Sequence, residues 1–564
     1  MNPEILRKAQ EWTTDKYDKQ TQQEISLLIN TENETELTDR FWQDLEFGTG
    51  GLRGIRGAGT NRMNIYNIRK VAQGLANYIH AQGGSKKGVV IGRDSRINSL
   101  EFAQETASVL IENNITVYFF KDICPTPIVS YAIRQLEAQA GIMNTASHNP
   151  KEYNGIKIFW EDGAQVTPPH DINMIAEVRK IDSLNKVRSL HSFKDAIKSP
   201  LFHYCDNIIN QYLQEAQTFT LDKKLCAASD IKILYSPLYG CGYKIAPKLL
   251  KKFGFKNVEI MSEQSIPDGN FPTVPFPNPE DPEAMRLGIE YAQTINADVF
   301  IATDPDADRI GVAYKNSRGT YTLLNGNQIG FLIANYLLQK SVPNSSFIVS
   351  TIVTSPLISK IAEEHKLFYT ETLTGFKWIA LEMEKQLQSG KKFLLGLEES
   401  HGYNISDKIR DKDGISATAI VAELVAYYKK QGKFLDQLLL EIDIKYGHYK
   451  ESQYSITIPG KDGVEKINAI MDQLRTNPPQ NISEFGLLKS TDYLNNNNTK
   501  LPISNVLVLS YDEKTRIIAR PSGTEPKIKF YFSTHGEVAC IHCVTEVEER
   551  HEILKSTFIQ QLNL

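Results

Sequence analysis

Four stretches of this 564-residue chain gather side chains whose types and spacing suit phosphate and metal chemistry. Asp304-Pro-Asp306-Ala-Asp308-Arg309 sets three carboxylates at alternate positions. In extended backbone alternate side chains share a face. Three hard oxygen donors beside an Arg suit Mg2+ better than a softer metal. An EF-hand fits badly, because its Gly position holds Arg309 and its closing Glu position holds Lys315. The plainer reading is an acidic surface turn, but carboxylates packed this tightly repel unless something compensates them.

Thr145-Ala-Ser147-His148-Asn-Pro150 puts a serine on a turn held by an Asn-Pro corner. It reads as an exposed, rigid hydroxyl able to act as nucleophile or phosphate carrier, against the plain reading of a Ser/Asn-rich turn. No Gly brackets Ser147, so it is not a hydrolase elbow. Glu398-Glu-Ser400-His401-Gly402-Tyr403, followed by Lys408-Ile-Arg410-Asp-Lys412-Asp-Gly414, supplies acceptors and donors for sugar hydroxyls and cations for phosphate or proton transfer. An exposed polar loop is the competing reading. Arg520-Pro-Ser522-Gly523-Thr524-Glu-Pro-Lys527 offers successive backbone N–H groups, hydroxyls and a guanidinium fork, the makings of an anion nest. A tight Ser-Gly hairpin is its plain alternative. No nucleotide P-loop occurs in the chain. The glycines of Phe47-Gly-Thr-Gly-Gly51-Leu-Arg53-Gly permit close backbone approach without forming a dinucleotide fingerprint.

The elements that must position these loops follow from the hydrophobic period. Ile65, Ile68, Val71, Leu75 and Ile79 recur at helical spacing after Asn64, a natural N-cap. Short apolar runs at 88–92, 115–120, 141–143, 231–235, 298–302, 347–353 and 393–395 read as strands, with a helix over 128–138. Strands alternating with helices give βαβ units and mostly parallel sheets. Ligands then bind beyond the carboxyl ends of the strands, where the chemical loops begin. After about residue 450 three strands (506–509, 516–520, 527–532) and a closing helix (544–562) read as an α+β unit. The expected fold is three consecutive mixed α/β domains plus a C-terminal α+β domain. Its joints fall near 215, 328 and 450: 1–215 for the serine loop, 216–328 for the metal loop, 329–450 for the sugar loop, 451–564 for the phosphate loop.

Lys plus Arg number 63 and Asp plus Glu 67, a net charge of −4 that gives no support to nucleic-acid binding. No run of about 18 apolar residues suggests a membrane span, and MNPEILRKAQEW lacks a secretory apolar core. Six Cys are too few for a disulfide scaffold. Cys540 and Cys543, with His542 between them, read as ordinary thiols. The Asn495–Asn498 run is a polar loop without an assigned role. The expected compartment is the cytoplasm.

With these loops in this order, the chain resembles the α-D-phosphohexomutase superfamily, closest to its phosphoglucomutase and phosphopentomutase-like branch. Pro267-Asp-Gly-Asn-Phe-Pro272, Pro277-Asn-Pro-Glu280, Leu324-Asn-Gly-Asn-Gln328 and Glu371-Thr-Leu-Thr-Gly-Phe-Lys-Trp378 support the likeness, which covers nearly the whole chain. The resemblance implies four domains around one cleft. It implies an isomerase that interconverts glucose 1-phosphate and glucose 6-phosphate through a phosphoserine and a glucose 1,6-bisphosphate intermediate. Mannose and pentose phosphates, or bisphosphate synthesis, are the alternatives; a phosphatase and a non-catalytic phosphosugar-binding protein are rivals of other classes.

By the same resemblance Ser147 carries the phosphoryl group and joins Asp304, Asp306 and Asp308 around Mg2+. Arg53, Lys157 and His148 line that site with Lys412, a proton-transfer candidate. Arg309, Glu398, Ser400, Arg410, Arg520, Ser522, Gly523, Thr524 and Lys527 bind the substrate. Two departures leave the general base open among Lys157, Lys412 and His401. Tyr239 stands where relatives often carry His, and Gly402 stands where some place a His. The expected partner is a small phosphosugar, and monomer and homodimer are both open.

Overall fold

A computed structural model describes residues 2–45, 47–48, 51–339, 342–458, 461–495, 500–522, 527–538 and 541–562. Gly523, Thr524, Cys540 and most of the Asn run lie outside the described residues. The chain forms two compact units. The first comprises Met1–Tyr314, Tyr321–Leu324 and His401–Ala426; the second comprises Lys315–Thr320, Asn325–Ser400 and Tyr427–Leu564.

The first unit opens with three helices, Pro3–Glu11, Lys19–Asn30 and Glu34–Phe41. Trp12, Tyr17, Phe41 and Tyr66 pack edge and face among them. The helix Ile65–Ala81 starts where expected, with Asn64 Oδ1 accepting from the Asn67 N–H at 3.0 Å. Behind it lies a seven-stranded sheet in the order Phe47–Gly48, Gly51–Ile55, Tyr153–Trp160, Ala140–Asn144, Val89–Arg93, Val117–Phe119, Phe202–Tyr204. Val89–Arg93 is parallel to Ala140–Asn144 and to Val117–Phe119. Both faces of these strands are covered, so they read as unbroken apolar runs. Tyr153–Trp160 and Gly51–Ile55 are antiparallel additions that the hydrophobic period does not reveal. A second sheet runs Tyr321–Leu323, Ile310–Lys315, Val299–Thr303, Ile233–Ser236, Val258–Ile260. Its core includes Leu234, Phe300 and Met285.

In the second unit Ser346–Thr351 pairs in parallel with Phe368–Thr372 and with Lys392–Glu398. The C-terminal sheet is antiparallel, in the order His448–Thr457, Lys527–Gly536, Thr515–Pro521, Leu507–Asp512, Lys489–Asp492. Leu507–Asp512 alternates buried and half-buried residues, as a sheet with one covered face must. The helix Ile541–Gln561 closes that face through Leu554 and Phe558. The fold is therefore α/β in its three consecutive sheet-and-helix domains, with an α+β end. Among the described residues no helix is long and apolar enough to cross a membrane.

Candidate active site

The candidate site of the first unit stands beyond the strand ends. Ala140–Asn144 runs into the serine loop, and the chain returns antiparallel so that Lys157 lies in register with Met143. The next strand pairs Arg53 with Gly155. Gly51, at the start of that strand, has φ +98° and its missing Cβ would lie 2.1 Å from the Ile156 carbonyl oxygen, so only Gly allows this approach.

Ser147 is buried, 1% exposed, and so departs from the expected exposed hydroxyl. The loop curls inward because Ser147 adopts the left-handed conformation (φ 51°) and its N–H donates to Thr145 Oγ1 at 2.7 Å. Its Oγ donates to Asp304 Oδ2 at 2.7 Å and lies 3.3 Å from His148 Nδ1.

The three carboxylates also converge by a different route from the extended run expected. Residues 304–308 form a turn, with the Ala307 N–H on the Asp304 carbonyl at 2.9 Å and Ala307 at φ 55°. Asp304 Oδ1 accepts from the N–H groups of Asp308 and Arg309, both at 3.0 Å. Pro305 favours this turn geometry over a strand. One oxygen from each Asp falls within 4.8 Å of the others, and all three residues are buried.

Compensation comes from the strand behind. Lys157 Nζ donates to Asp306 Oδ2 at 2.7 Å and to Asp308 Oδ2 at 2.6 Å. Lys412 Nζ lies 3.3 Å from Asp308 Oδ2 and 3.3 Å from Asp411 Oδ1. Burial and the neighbouring Asp306 and Asp308 raise Asp304 well above the usual carboxylate range. Burial opposes ionisation of Asp308 too, but Lys157, Lys412 and Arg309 overcome it and hold its carboxyl low. Burial would pull the Lys157 ammonium down, yet Asp306 and Asp308 outweigh it and keep the proton on. Two buried oxygens, Asp306 Oδ1 and Asp308 Oδ1, have no hydrogen-bond partner. Hard donors without a hydrogen bond, in the carboxylate cluster whose Asp304 accepts from Ser147 Oγ, are what a divalent cation would satisfy, so the residues fit Mg2+.

Arg309 pairs with Glu280, and Arg53 Nη1 donates to Asn149 Oδ1 at 3.1 Å. Arg410 is buried, its N–H on Ser130 Oγ at 3.0 Å. His401 Nδ1 lies 2.9 Å from the Ile310 carbonyl oxygen, which can only accept, so Nδ1 carries the hydrogen. Burial lowers this imidazole's pKa and keeps it neutral at pH 7. The ring of Tyr239 packs in its own domain's core, and its hydroxyl lies 2.9 Å from Thr273 Oγ1. A Cβ at Gly402 would lie 2.1 Å from Lys412 Cδ, so the lysine stem occupies the space a side chain would need.

The other candidates belong to the second unit. Glu398 Oε1 accepts from the Gly375 N–H at 2.8 Å, and Glu399 Oε2 lies 3.2 Å from Thr351 Oγ1. Arg520 sits on the strand Thr515–Pro521 opposite Lys529, and the Ser522 N–H donates to the Lys527 carbonyl at 2.7 Å.

Sequence reasoning missed Thr126, whose hydroxyl donates to Asp306 Oδ2 at 2.5 Å, and the buried pair Asp94 and Arg96 behind the serine loop. Asp94 stands just past the strand Val89–Arg93, where the strand-end rule could have found it, whereas Thr126 opens the helix Thr126–Gln135 and reaches Asp306 only through the fold.

Known proteins resemble this chain along most of its length. The family descriptions Phosphoglucomutase/phosphomannomutase, alpha/beta/alpha domains I, II and III match residues 44–185, 207–319 and 325–443. The phosphoglucomutase of Staphylococcus haemolyticus (strain JCSC1435) is 35% identical over 520 residues, covering 90% of this chain and 94% of the relative. That of Staphylococcus aureus (strain USA300) is 37% identical over 529 residues, covering 90% and 93%. Among solved structures, a putative phosphomannomutase from Thermus thermophilus superposes with TM-score 0.69 at 21% identity, over 91% of this chain and 99% of that one. Open-form pp63/parafusin, a phosphoglucomutase from Paramecium, superposes with TM-score 0.70 at 19% identity, over 92% and 96%. The structural likenesses show the fold; the sequence relatives carry more. Fold and relatives define a phosphosugar mutase, an enzyme of the isomerase class. The chain belongs to the phosphoglucomutase/phosphomannomutase family, within the α-D-phosphohexomutase superfamily.

Proposed function

We propose that this enzyme interconverts glucose 1-phosphate and glucose 6-phosphate, with Ser147 as the phosphoryl carrier and glucose 1,6-bisphosphate as the intermediate. The observation that carries the reading is the Ser147 hydroxyl, buried at 2.7 Å from Asp304 and backed by two further carboxylates and Lys157. In the forward step the phosphorus–Oγ bond of phosphorylated Ser147 breaks as a bond to a free sugar hydroxyl forms, and the hydroxyl proton leaves to a base. The bisphosphate then turns end for end and returns its other phosphoryl group to Ser147. Asp304, Asp306, Asp308 and the phosphorylated Ser147 would hold Mg2+, which supplies charge neutralisation at the leaving oxygen when bound.

The chain's own residues do the rest. Phosphoryl transfer depends on positioning and charge more than on covalent chemistry, and Arg53, Arg309, Arg410, Lys157 and Lys412 supply the charge. Lys157 keeps its proton against Asp306 and Asp308, and so acts as acid or counter-charge. His401 is neutral with Nδ1 engaged, so Nε2 is its basic atom. Glu398 and Ser400 read the sugar hydroxyls. Arg520, Ser522, Gly523, Thr524 and Lys527 hold the distal phosphate. We divide the roles over four domains, 1–215, 216–328, 329–450 and 451–564.

The test compares kcat/KM for the 1-phosphates of glucose, mannose and ribose, and measures the mass of the intact protein after incubation with glucose 1,6-bisphosphate. Glucose 1-phosphate should be preferred, with one phosphate on the parent and none on Ser147→Ala. A tenfold preference for another sugar overturns the substrate; an active Ser147→Ala enzyme overturns the mechanism.

A further inference from the structure

Behind the serine loop lies a guanidinium with no part in the chemistry described so far. Arg96 is buried, as is its neighbour Asp94. Arg96 Nη1 donates to the carbonyls of Pro150 at 2.8 Å and Tyr153 at 3.1 Å. Its Nη2 donates to the carbonyl of Ser147 at 2.6 Å and to that of Asn149. One side chain thus collects four backbone carbonyls from the two ends and the middle of a single loop. Asp94 sets the anchor in turn: its Oδ1 accepts from the Arg96 N–H at 2.9 Å and from Ser99 Oγ at 2.7 Å, and its Oδ2 lies 3.4 Å from Arg96 Nε. The ring of Phe271 covers the guanidinium at 5.1 Å.

The loop needs such an anchor. Ser147 holds a left-handed backbone (φ 51°) that a residue with a Cβ adopts only when its surroundings over-determine it. A loop of polar carbonyls turned inward would also leave acceptors unsatisfied. Burial brings the Arg96 pKa down to about 10, which still leaves the guanidinium charged at neutral pH.

We infer that Arg96 is a positioning residue for phosphoryl transfer: by holding the 147–153 loop through four carbonyls, it fixes Ser147 Oγ at bonding distance from Asp304. The inference rests on the reading of Ser147 as phosphoryl carrier. Displacing a reacting atom by about 1 Å costs about a hundredfold in rate. A lysine at 96 keeps the charge but has no fork to span four acceptors. The loop carries the reacting serine and none of the residues assigned to the distal phosphate, so binding should be spared.

The experiment uses the full chain, with rapid-quench measurement of phosphoryl transfer from glucose 1,6-bisphosphate to Ser147 and steady-state turnover. Arg96→Lys should lower kcat and the transfer rate by about a hundredfold, with KM within about threefold. Asp94→Asn keeps an acceptor for Ser99 and for the Arg96 N–H while removing the charge, so it should lose about tenfold in kcat at unchanged KM. It decides the question if Arg96→Lys does not fold. Transfer at parental rate in the folded variants overturns the inference, and so does a loss of kcat matched by an equal rise in KM. A parent protein that never takes phosphate on Ser147 sinks the carrier reading, and this inference with it. A phosphorylated parent beside unimpaired variants sinks this inference alone.

Discussion

Lys157→Met removes an ammonium and keeps most of the apolar stem. In the parent, Nζ lies 2.7 Å from Asp306 Oδ2 and 2.6 Å from Asp308 Oδ2, with the side chain 2% exposed. At an effective dielectric near 20 each contact is an attraction of about 6 kcal/mol. Desolvation offsets much of that, and deleting one partner of a buried pair costs about 3–5 kcal/mol. The first unit has about 340 residues. Its unfolding entropy is then about 0.7 kcal/mol per degree, so the melting temperature in EDTA should fall by about 4–7 °C. Mg2+ should act in the opposite sense. The stripped triad carries one more uncompensated negative charge and should bind the cation more tightly. A tenfold gain in affinity returns about 1.4 kcal/mol, so the gap to the parent should narrow to about 1.6–3.6 kcal/mol in saturating Mg2+. Calorimetric melts of both proteins, with EDTA and across a Mg2+ titration, measure all three quantities. A loss under about 1 kcal/mol in EDTA, or a gap that widens with Mg2+, would refute the view that Lys157 is the counter-ion of an incompletely compensated cation site.

Two further perturbations probe the same logic elsewhere. Gly402→Ala would set a Cβ 2.1 Å from Lys412 Cδ and push the lysine from its place 3.3 Å from Asp308; we expect a loss of about 1–3 kcal/mol from overpacking and at least about tenfold lower turnover, and parental kcat in the variant would rule out a role for Lys412's placement. His551 lies buried between Ser452 Oγ and Thr534 Oγ1, and burial with Lys450 and Lys555 lowers its pKa from 6.5 to about 4. A base whose folded pKa is depressed takes up its proton preferentially in the unfolded chain. Stability is therefore full above about pH 6.5 and declines below it, by about 3 kcal/mol at pH 4. Urea melts at pH 7 and pH 4 should show that decline shrink by about this amount in His551→Gln; an unchanged difference would show that His551 does not set it.

What could be read in the sequence divides along physical lines. Local signals served well: the Asn64 cap, the apolar runs that became Val89–Arg93 and Val299–Thr303, and the strand-end position of the chemical loops. The antiparallel strands Leu507–Asp512, Thr515–Pro521 and Lys527–Gly536 were legible too, but two others were not. Tyr153–Trp160 is buried along nearly its whole length, so it shows no alternation, and only pairing with Ala140–Asn144 and Gly51–Ile55 defines it. The long strand His448–Thr457 is half-buried along most of its length and carries no period-two pattern either. At the site, side-chain chemistry was legible and side-chain environment was not. Ser147 looked exposed because its neighbours are polar, but the left-handed turn and the Arg96 anchor fold those polar groups inward. Gly402 looked like a missing base, and its reason is the lysine stem lying against it.

The net charge of −4 is a similar case, because the site's electrostatics lie in pairings that a sum conceals. Three buried carboxylates face Lys157 and Lys412, while Arg309 is shared with Glu280. In a low-dielectric interior such a set is tolerable only near neutrality. A phosphoserine brings about −2 at neutral pH, and Mg2+ brings an equal and opposite charge. Either added alone would unbalance the cluster by two charges; added together they leave its sum unchanged. Asp306 Oδ1 and Asp308 Oδ1, which accept no hydrogen bond, are the oxygens such a cation would meet. It follows that phosphorylation of Ser147 and cation binding should each strengthen the other, a coupling that arises from burial of the cluster and that an exposed acidic turn would not have.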